Sequence, residues 1–235
     1  MKTETLLSQG IETLRRNDAD IDCLIAPRCG EIISLLLRYI KEIELFNPAY
    51  SLVGAKDSEE LVIKHILDSL APLGIISRLS AETGGQIADA GSGAGLPGIP
   101  LAIALPACRF TLIERMGRRA GFLWNAKAAL NLSNVTVEEG EIEKTAGGRF
   151  SLITFRAFKP LDPKLLTALF KACADGGVIA AYKGRLEKIE QEMAPLENPR
   201  IRWEALPCAV PFLEEERHLL IIRSNLPPAN FSAMC

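Results

Sequence analysis

Apolar side chains recur at helical spacing through the first eighty residues of the chain. The strongest repeat places apolar residues three or four positions apart at Ile32, Ile33, Leu36, Leu37, Ile40 and Ile43. Asn47-Pro48 predicts the end of this helix, because proline disfavours helical geometry in the residue before it. Asp57 offers a cap for a further helix over residues 61–70. Residues 1–80 are therefore predicted to form a helical N-terminal extension.

From residue 86 the pattern changes to short apolar strands that alternate with helices. Seven segments have the length and composition of strands: QIADAG, FTLIE, VTVEEG, FSLITFRA, GVIAAYKG, IRWEAL and RHLLIIRS. Helical segments among the first five predict parallel strands joined by crossover helices. No apolar segment of helical length separates the last two, which predicts an antiparallel edge. Residues 81–235 are therefore predicted to be one α/β domain with a seven-stranded, mostly parallel sheet.

Composition narrows the class of protein. The chain has 235 residues, of which 48% are apolar and 24% charged, enough to bury a core. The six cysteines form no C-x-x-C pair and the two histidines lie far apart, so we expect no metal site and a reduced, cytoplasmic protein. Acidic residues interrupt the N-terminus where an export signal needs an apolar core. The uncharged run over residues 90–108 contains three prolines and four glycines, which predicts a loop and a buried helix rather than a membrane span.

Charge is distributed unevenly along the chain. The formal net charge of −2 gives no strong global attraction to nucleic acid or to an anionic membrane. Residues 1–90 carry 9 basic and 14 acidic side chains, whereas residues 91–235 carry 18 basic and 15 acidic ones. The second part is net positive, so the positions of its basic residues matter more than the total.

A glycine-rich segment follows the first predicted strand and opens the first crossover helix. Its sequence is Asp89-Ala90-Gly91-Ser92-Gly93-Ala94-Gly95. Glycines here let the backbone approach a ligand closely at the carboxyl edge of the sheet. A dinucleotide fingerprint needs a third glycine at position 96, where this chain has Leu96. The observed spacing after an acidic residue is typical of S-adenosylmethionine enzymes.

Glu114 ends the second predicted strand, 19 residues after Gly95. A carboxylate at this place can accept hydrogen bonds from both hydroxyls of an adenosine ribose. The glycine loop and Glu114 together predict a cofactor that contains adenosine. The structural alternative is a tight turn that requires small residues, with Glu114 at a solvated strand end.

Several motifs, in order along the chain, resemble one enzyme family. They are HILDSL, DAGSGAGLPGIPLAIALP, FTLIERMGRR, FRAFKPL, AAYKG and ERHLLII. Over roughly residues 45–223 the chain resembles the bacterial ribosomal RNA small-subunit methyltransferase G family. The resemblance implies a Rossmann-like class I S-adenosylmethionine-dependent methyltransferase with a helical N-terminal extension. It also implies methylation of N7 of one guanine in the 530 loop of 16S rRNA, with a 30S particle or an assembly intermediate as substrate and a monomeric enzyme.

The resemblance also implies roles for particular residues. The cofactor contacts it implies, together with the loop glycine and the ribose carboxylate, are Gly91, Gly93, Leu96, Glu114, Ile142, Glu143 and Arg156. Three positions differ from the family pattern. Where the family has N-L-T, this chain has Ser51-Leu52-Val53. Where the family has an aspartate after the second strand and an arginine near the adenine, this chain has Glu114 and Glu141. The first removes two polar groups, the second keeps the carboxylate, and the third reverses a charge.

Guanine N7 carries a lone pair and no proton, so its methylation needs no general base. Arg156 is therefore predicted to position the cofactor carboxylate, guanine O6 or a phosphate, the alternative being a surface arginine at a strand end. Cys208 follows a proline, as the nucleophile of cytosine methyltransferases does, but lies outside the loops where a nucleophile would sit. It is predicted to be structural. His65 and Asp68, three residues apart on one helix, are predicted to make structural contacts that line the cleft.

Further basic residues lie beside the predicted strands. Lys183 follows the fifth strand and Arg217 precedes the last, so both are predicted to contact phosphate or base. A basic cluster at the start of a crossover helix comprises Arg115, Arg118, Arg119 and Lys127. Of these, Arg118 and Arg119 are predicted to bind substrate, and a solvated helix face is the alternative. Two other functions stay open at this point, a small-molecule methyltransferase and a non-catalytic protein that binds RNA or the ribosome.

Overall fold

The computed structural model describes residues 2–196 and 198–225, and its N-terminal part is helical, as the apolar repeat predicts. Six α-helices precede the first strand in this part of the chain: α1 (Lys2–Asn17), α2 (Ala19–Ile25), α3 (Cys29–Tyr50), α4 (Ser58–Leu61), α5 (Asp68–Leu70) and α6 (Leu73–Thr83). A 3-10 turn, Ala26–Arg28, joins α2 to α3, and a π-helical segment, Val62–Leu67, joins α4 to α5. The side chain of Asp57 caps the start of α4.

Helix α3 continues beyond the predicted end at Asn47-Pro48 and terminates at Tyr50. Ser51 then adopts a left-handed conformation with φ of 50°, and its N–H donates to the Asn47 carbonyl at 2.9 Å. The Asn47 side chain accepts from the N–H groups of Leu52 and Val53 at 2.8 and 2.9 Å. The helix therefore ends through this side-chain cap, which sequence spacing did not predict.

The sheet has seven strands in the order β3-β2-β1-β4-β5-β7-β6. Their bounds are β1 (Gln86–Ala90), β2 (Arg109–Glu114), β3 (Val135–Glu139), β4 (Phe150–Arg156), β5 (Cys173–Lys183), β6 (Ile201–Pro207) and β7 (His218–Ser224). The first five are parallel to one another, and β7 is antiparallel to both β5 and β6. The prediction of a mostly parallel α/β sheet with an antiparallel edge is confirmed.

Helices cover both faces of the sheet. The helices after β1 are α7 (Gly98–Ala104), α8 (Gly117–Leu130), α9 (Pro163–Ala172) and α10 (Leu186–Met193). The N-terminal helices, α7 and α8 share one apolar core with the first face, and α9 and α10 share another with the second. None of the helices in the described ranges is long and apolar enough to cross a membrane. The predicted boundary at residue 80 stays a prediction, and residues 226–235, with Cys235, lie outside the described residues.

Helix α3 holds the glycine-rich loop in place from the side of the helical extension. The Tyr39 ring is fully buried, and its hydroxyl donates a hydrogen bond to the carbonyl of Ala94 in the loop. Farther along α3, Glu42 accepts a hydrogen bond from Asn125 of α8 at 2.8 Å. The helical extension is therefore part of the framework that shapes the loop, because it satisfies a backbone group that would otherwise be buried without a partner.

Replacing Tyr39→Phe is expected to lower the free energy of unfolding by about 1–3 kcal/mol, because the Ala94 carbonyl loses its buried donor. Denaturant unfolding followed by circular dichroism measures the change. Tyr50→Phe is the matched control, since the Tyr50 ring packs on Phe46 but its hydroxyl has no hydrogen bond to another described residue. Equal stabilities for the two variants would contradict the role given to Tyr39.

Candidate active site

The glycine-rich loop leaves the sheet where the order of the strands reverses, since β1 lies between β2 and β4. Helix α7, after β1, covers one face, and α9, after β4, covers the other, so a crevice opens at the carboxyl edge. Gly91 has φ of 69°, and a Cβ atom there would lie 2.3 Å from the Phe158 ring. The N–H groups of Gly91 and Ser92 both donate to the Ile113 carbonyl of β2. The loop therefore needs glycine at its first position for backbone geometry and for space.

Asp89 lies at the base of the loop and is fully buried. Its Oδ2 atom accepts from the Gly98 N–H at 3.0 Å, whereas its Oδ1 atom has no hydrogen-bond partner in the described structure. Thr154 pairs with Asp89 across β1 and β4, and its hydroxyl is also buried and unpartnered. Burial raises the pKa of Asp89 to about 7. Two unpartnered polar atoms are thus buried beneath the loop.

Glu114 at the end of β2 is buried, with 4% of its surface exposed. One carboxylate oxygen accepts from the Gly93 N–H and the other from the Met116 N–H, both at 2.9 Å. The alternative of a solvated strand end is therefore wrong. Each oxygen keeps a further lone pair, so the carboxylate can accept the two hydroxyls of a ribose without losing its backbone partners.

A cavity of about 190 Å³ adjoins Glu114. It brings together four residues predicted from the sequence to bind the cofactor, namely Gly91, Glu114, Ile142 and Glu143. One Glu143 oxygen is buried without a partner, and the other accepts from the Lys159 ammonium group. Gly93 instead donates its N–H to Glu114, and Leu96 is buried in the core, so neither lines this cavity.

The cavity accommodates only part of an adenosine cofactor. Sites for ligands of this size enclose about 300–1,000 Å³, so the rest of the molecule must extend beyond it. Residues 157–159 line both this cavity and a larger cleft of about 960 Å³, and they form the partition between the two. Sequence reasoning missed Phe158 and Lys159, which form most of that partition. The buried carboxylates and the open edge of the cavity together fit the adenosine end of S-adenosylmethionine.

Arg156, Lys183 and Arg217 all line the larger cleft, as their positions beside β4, β5 and β7 predict. The Arg156 side chain is only 14% exposed, so the alternative of a surface arginine is wrong. Its Nη1 atom donates to the Lys64 carbonyl at 3.0 Å and to Asp68 at 2.8 Å. The sequence predicted the correct edge of the sheet for Arg156. Its guanidinium, however, contacts the helical extension and does not line the smaller cavity.

Lys183 and Arg217 are also paired with carboxylates within the protein. The Lys183 ammonium group donates to both oxygens of Glu192, at 2.9 and 2.7 Å. Arg217 donates from Nε to Asp68 at 3.1 Å. Lys64, Lys159 and Lys188 also line the cleft, and the first two pair with Glu60 and Glu143. The electrostatic field of the cleft is therefore weaker than its cations alone would make it, because internal carboxylates offset part of their charge.

His65 and Asp68 line the cleft, as predicted, and both contact Arg156. Nη2 of Arg156 lies 2.9 Å from Nδ1 of His65. Arginine has no acceptor, so this ring nitrogen must accept and the imidazole must be neutral. Burial and, to a lesser degree, the neighbouring Arg156 charge lower the pKa of His65 to about 4. His65 therefore carries no charge at neutral pH.

The basic cluster of α8 is divided by the fold. Arg118 is exposed, whereas Arg119 turns inward, lines the smaller cavity and donates to the Ser51 carbonyl at 3.3 Å. Glu141, the position where the family pattern has arginine, forms an ion pair with Lys144 at 2.9 Å. Arg118 is therefore the exposed member of this pair, and contact of either arginine with RNA stays a prediction.

Cys208 lies beyond β6 and does not line either the cavity or the cleft. Burial raises the pKa of its thiol to about 11, which keeps the sulfur protonated and weakly nucleophilic. This agrees with the prediction of a structural cysteine.

A mostly parallel sheet of this strand order, with a glycine loop after β1 and a buried carboxylate at the end of β2, defines a class I S-adenosylmethionine-dependent methyltransferase. Residues 32–220 match the model of the family described as rRNA small subunit methyltransferase G. The chain belongs to this family, and S-adenosylmethionine is its cofactor.

Relatives of known name agree with this membership. The Ribosomal RNA small subunit methyltransferase G of Treponema denticola is 37% identical over 94% of this chain and 96% of its own length. The protein of the same name from Cellvibrio japonicus is 38% identical over 82% of this chain and 86% of its own.

Solved structures share the fold at low sequence identity. A SAM-dependent methyltransferase from Aquifex aeolicus aligns with a TM-score of 0.52 at 15% identity, over 66% of this chain and 92% of its own. An O-methyltransferase from Bacillus cereus in complex with SAH aligns with a TM-score of 0.53 at 17% identity, over 80% and 90% of the two chains.

Replacing Glu114→Gln is expected to raise the dissociation constant for S-adenosylmethionine about tenfold or more, because hydrogen bonds to a charged acceptor contribute roughly 1.5–3 kcal/mol. Isothermal titration calorimetry measures it. Glu139→Gln is the matched control, since Glu139 ends the neighbouring strand in register with Glu114 but is exposed and outside the cavity. An unchanged constant for Glu114→Gln in a folded protein would refute the ribose contact.

The lowered pKa of His65 predicts a pH-dependent contribution to stability. The unfolded chain binds this proton near pH 6.5 and the folded protein only near pH 4. The contribution of neutral His65 is thus complete above about pH 6.5 and decreases as the pH falls toward 4. The raised pKa of Asp89 acts in the opposite direction over an overlapping range.

The comparison of wild type with His65→Gln isolates the histidine, because Asp89 is present in both proteins. We expect the difference in free energy of unfolding to be constant above pH 7 and to shrink between pH 6.5 and 4.5. Urea unfolding across this range measures the difference. A difference that does not change with pH would mean that His65 titrates normally in the folded protein.

Proposed function

We propose that this protein transfers the methyl group of S-adenosylmethionine to N7 of a guanine in the 530 loop of 16S rRNA. Membership of the family and the names of its relatives support a small-subunit ribosomal RNA substrate. The observation that carries the proposal is the cleft itself. Arg156, Lys183 and Arg217 come together there, separated from the cofactor cavity only by residues 157–159.

The cofactor supplies a sulfonium methyl group that is electrophilic without further activation. The chain binds the adenosine end with Glu114 at the ribose and with Ile142 and Glu143 beside the adenine. This arrangement leaves the larger cleft for the methyl acceptor. Glu143 is held by Lys159 at one oxygen, so its second oxygen is oriented for a donor on the nucleoside.

The titratable groups of the cleft suit an acceptor that loses no proton. His65 is neutral, but its Nδ1 accepts from Arg156, and Cys208 is protonated and lies outside the cleft. The Asp68 carboxylate is occupied by two arginines. Guanine N7 attacks with its own lone pair, so catalysis consists of orienting the base against the cofactor and excluding water. Good orientation can supply roughly 7–11 kcal/mol of the barrier.

Recognition of the RNA falls to the basic side chains of the cleft. Arginine can contact guanine O6 or a phosphate through two parallel N–H donors. Because the cations are partly offset by Asp68 and Glu192, the cleft binds arbitrary RNA weakly. Selectivity then depends on the shape of one ribosomal site, as it does for many RNA-binding enzymes.

Mass mapping of ribosomal RNA nucleosides tests the proposal. RNA from cells that lack the gene is expected to lose 7-methylguanosine from the 530 loop, and purified protein with S-adenosylmethionine is expected to restore it. Assays on 30S particles and on free 16S rRNA, run in parallel, identify the substrate. An unchanged 530 loop in the deleted strain would refute the assigned position.

A small-molecule methyltransferase and a non-catalytic RNA-binding protein are the competing functions. Activity on an RNA substrate should fall steeply with salt concentration, because each phosphate contact releases a counterion. Activity on a small neutral acceptor should be nearly insensitive to salt. Failure of the purified protein to bind S-adenosylmethionine in calorimetry would favour the non-catalytic function.

A further inference from the structure

Asp68 lies between two arginines that come from distant parts of the chain. Its side chain is only 6% exposed. One oxygen accepts from Arg156, at the end of β4, and the other accepts from Arg217, the residue before β7. A single carboxylate of the helical extension therefore holds two cations at the edge of the sheet.

The two guanidinium groups differ in the donors that they retain. Arg156 uses Nη1 for the Lys64 carbonyl and Asp68, and Nη2 for His65. Arg217 uses Nε for Asp68 and Nη1 for the Glu216 carbonyl, and its Nη2 has no hydrogen-bond partner among residues 2–196 and 198–225. Arg217 is also more exposed, at 27% against 14% for Arg156. Of five N–H donors, Arg217 therefore keeps three without a partner in the described structure and Arg156 keeps two, so Arg217 is the arginine that is both more exposed and better supplied with donors for a substrate in the cleft.

The π-helical segment Val62–Leu67 makes this arrangement possible. In a regular α-helix the N–H of Asp68 would donate to the Lys64 carbonyl. Here it donates to the carbonyls of Ile63 and His65 instead. The Lys64 carbonyl is therefore able to accept from Arg156. Single π-helical turns of this kind are frequent at functional sites.

We propose that Asp68 is a positioning residue, which orients the Arg217 guanidinium so that its Nη donors meet an oxygen of the RNA substrate. The carboxylate restricts a long, flexible side chain before the substrate binds, which reduces the entropy lost on binding. It also offsets the repulsion between Arg156 and Arg217, which would otherwise separate the two cations. The oxygen that Arg217 meets belongs to a phosphate or to guanine O6. This inference rests on the proposed function.

A double-mutant cycle between Asp68→Asn and Arg217→Ala tests the proposal. Steady-state methylation of the ribosomal substrate gives kcat and KM, calorimetry gives the dissociation constant for S-adenosylmethionine, and thermal unfolding reports on the fold. Asp68→Asn is expected to lower kcat/KM about tenfold or more, mainly through KM for the RNA, because one partner of a buried ion pair is lost. Cofactor affinity should change less than twofold.

Coupling between the two positions gives the decisive measurement. The double variant is expected to lose less than the product of the two single losses, with any remaining effect of Asp68→Asn acting through Arg156, and Asp68→Glu should recover part of the loss. Glu138→Gln is the matched control, since Glu138 pairs with Arg149 outside both the cleft and the cavity, and it should leave kcat, KM and cofactor affinity unchanged.

Two results would overturn this inference and leave the proposed function unaffected. One is wild-type kinetics for Asp68→Asn, and the other is a double variant whose loss equals the product of the two single losses. A wild-type protein that binds S-adenosylmethionine but methylates no ribosomal RNA would instead overturn the proposed function, and the inference with it.

Discussion

The reversal of strand order on the two sides of β1 is the constraint on which the rest of the structure depends. The chain leaves β1 toward one face of the sheet and leaves β4 toward the other, so their loops separate and a crevice remains between them. Gly91 and Phe158, which follow these two strands, meet there at a distance that excludes a side chain on the glycine. Glu114, after the adjacent strand β2, reaches the same crevice. The cavity beside Glu114 is thus a consequence of topology, and Gly91 and Glu114 fit it to the nucleoside that we propose.

The helical extension completes the site as well as covering the sheet. The Tyr39 hydroxyl donates a hydrogen bond to the glycine loop, and the Ser51 carbonyl accepts one from Arg119. The Asp68 carboxylate accepts from both arginines of the cleft. These contacts join residues from 55 to 149 positions apart in the sequence. Because a shared carboxylate offsets the cations, the positive charge of residues 91–235 overstates the field that a substrate meets. The moderate net charge of the protein is therefore compatible with a selective RNA site.

Sequence patterns predicted the seven strands and their direction, since period and turn composition are local properties. They missed the start of β5, which begins at Cys173, four residues before the predicted segment. The spacing also placed Gly91 and Glu114 at one edge of the sheet, because strand ends in a parallel sheet share that edge, and the family resemblance added Ile142 and Glu143. The predicted end of α3 was two residues too early, because the cap made by the Asn47 side chain offsets the effect of Pro48. The division of the basic cluster at Arg118 and Arg119 was not predicted, since it depends on how α8 packs against α3.

By itself the sequence determined the fold class, the glycine-rich loop after β1 and the edge of the sheet at which the predicted site residues lie. These depend on hydrophobic period, on glycine spacing and on residues within one strand-turn-helix unit. Only the tertiary structure decided which side chains neutralise one another in the cleft. Such pairing depends on distances between segments far apart in the chain, and a π-helical turn of a single residue's extra length changes which carbonyl is available to Arg156. No local sequence pattern encodes the distances between the paired side chains, because the packing of the helical extension on the sheet sets them.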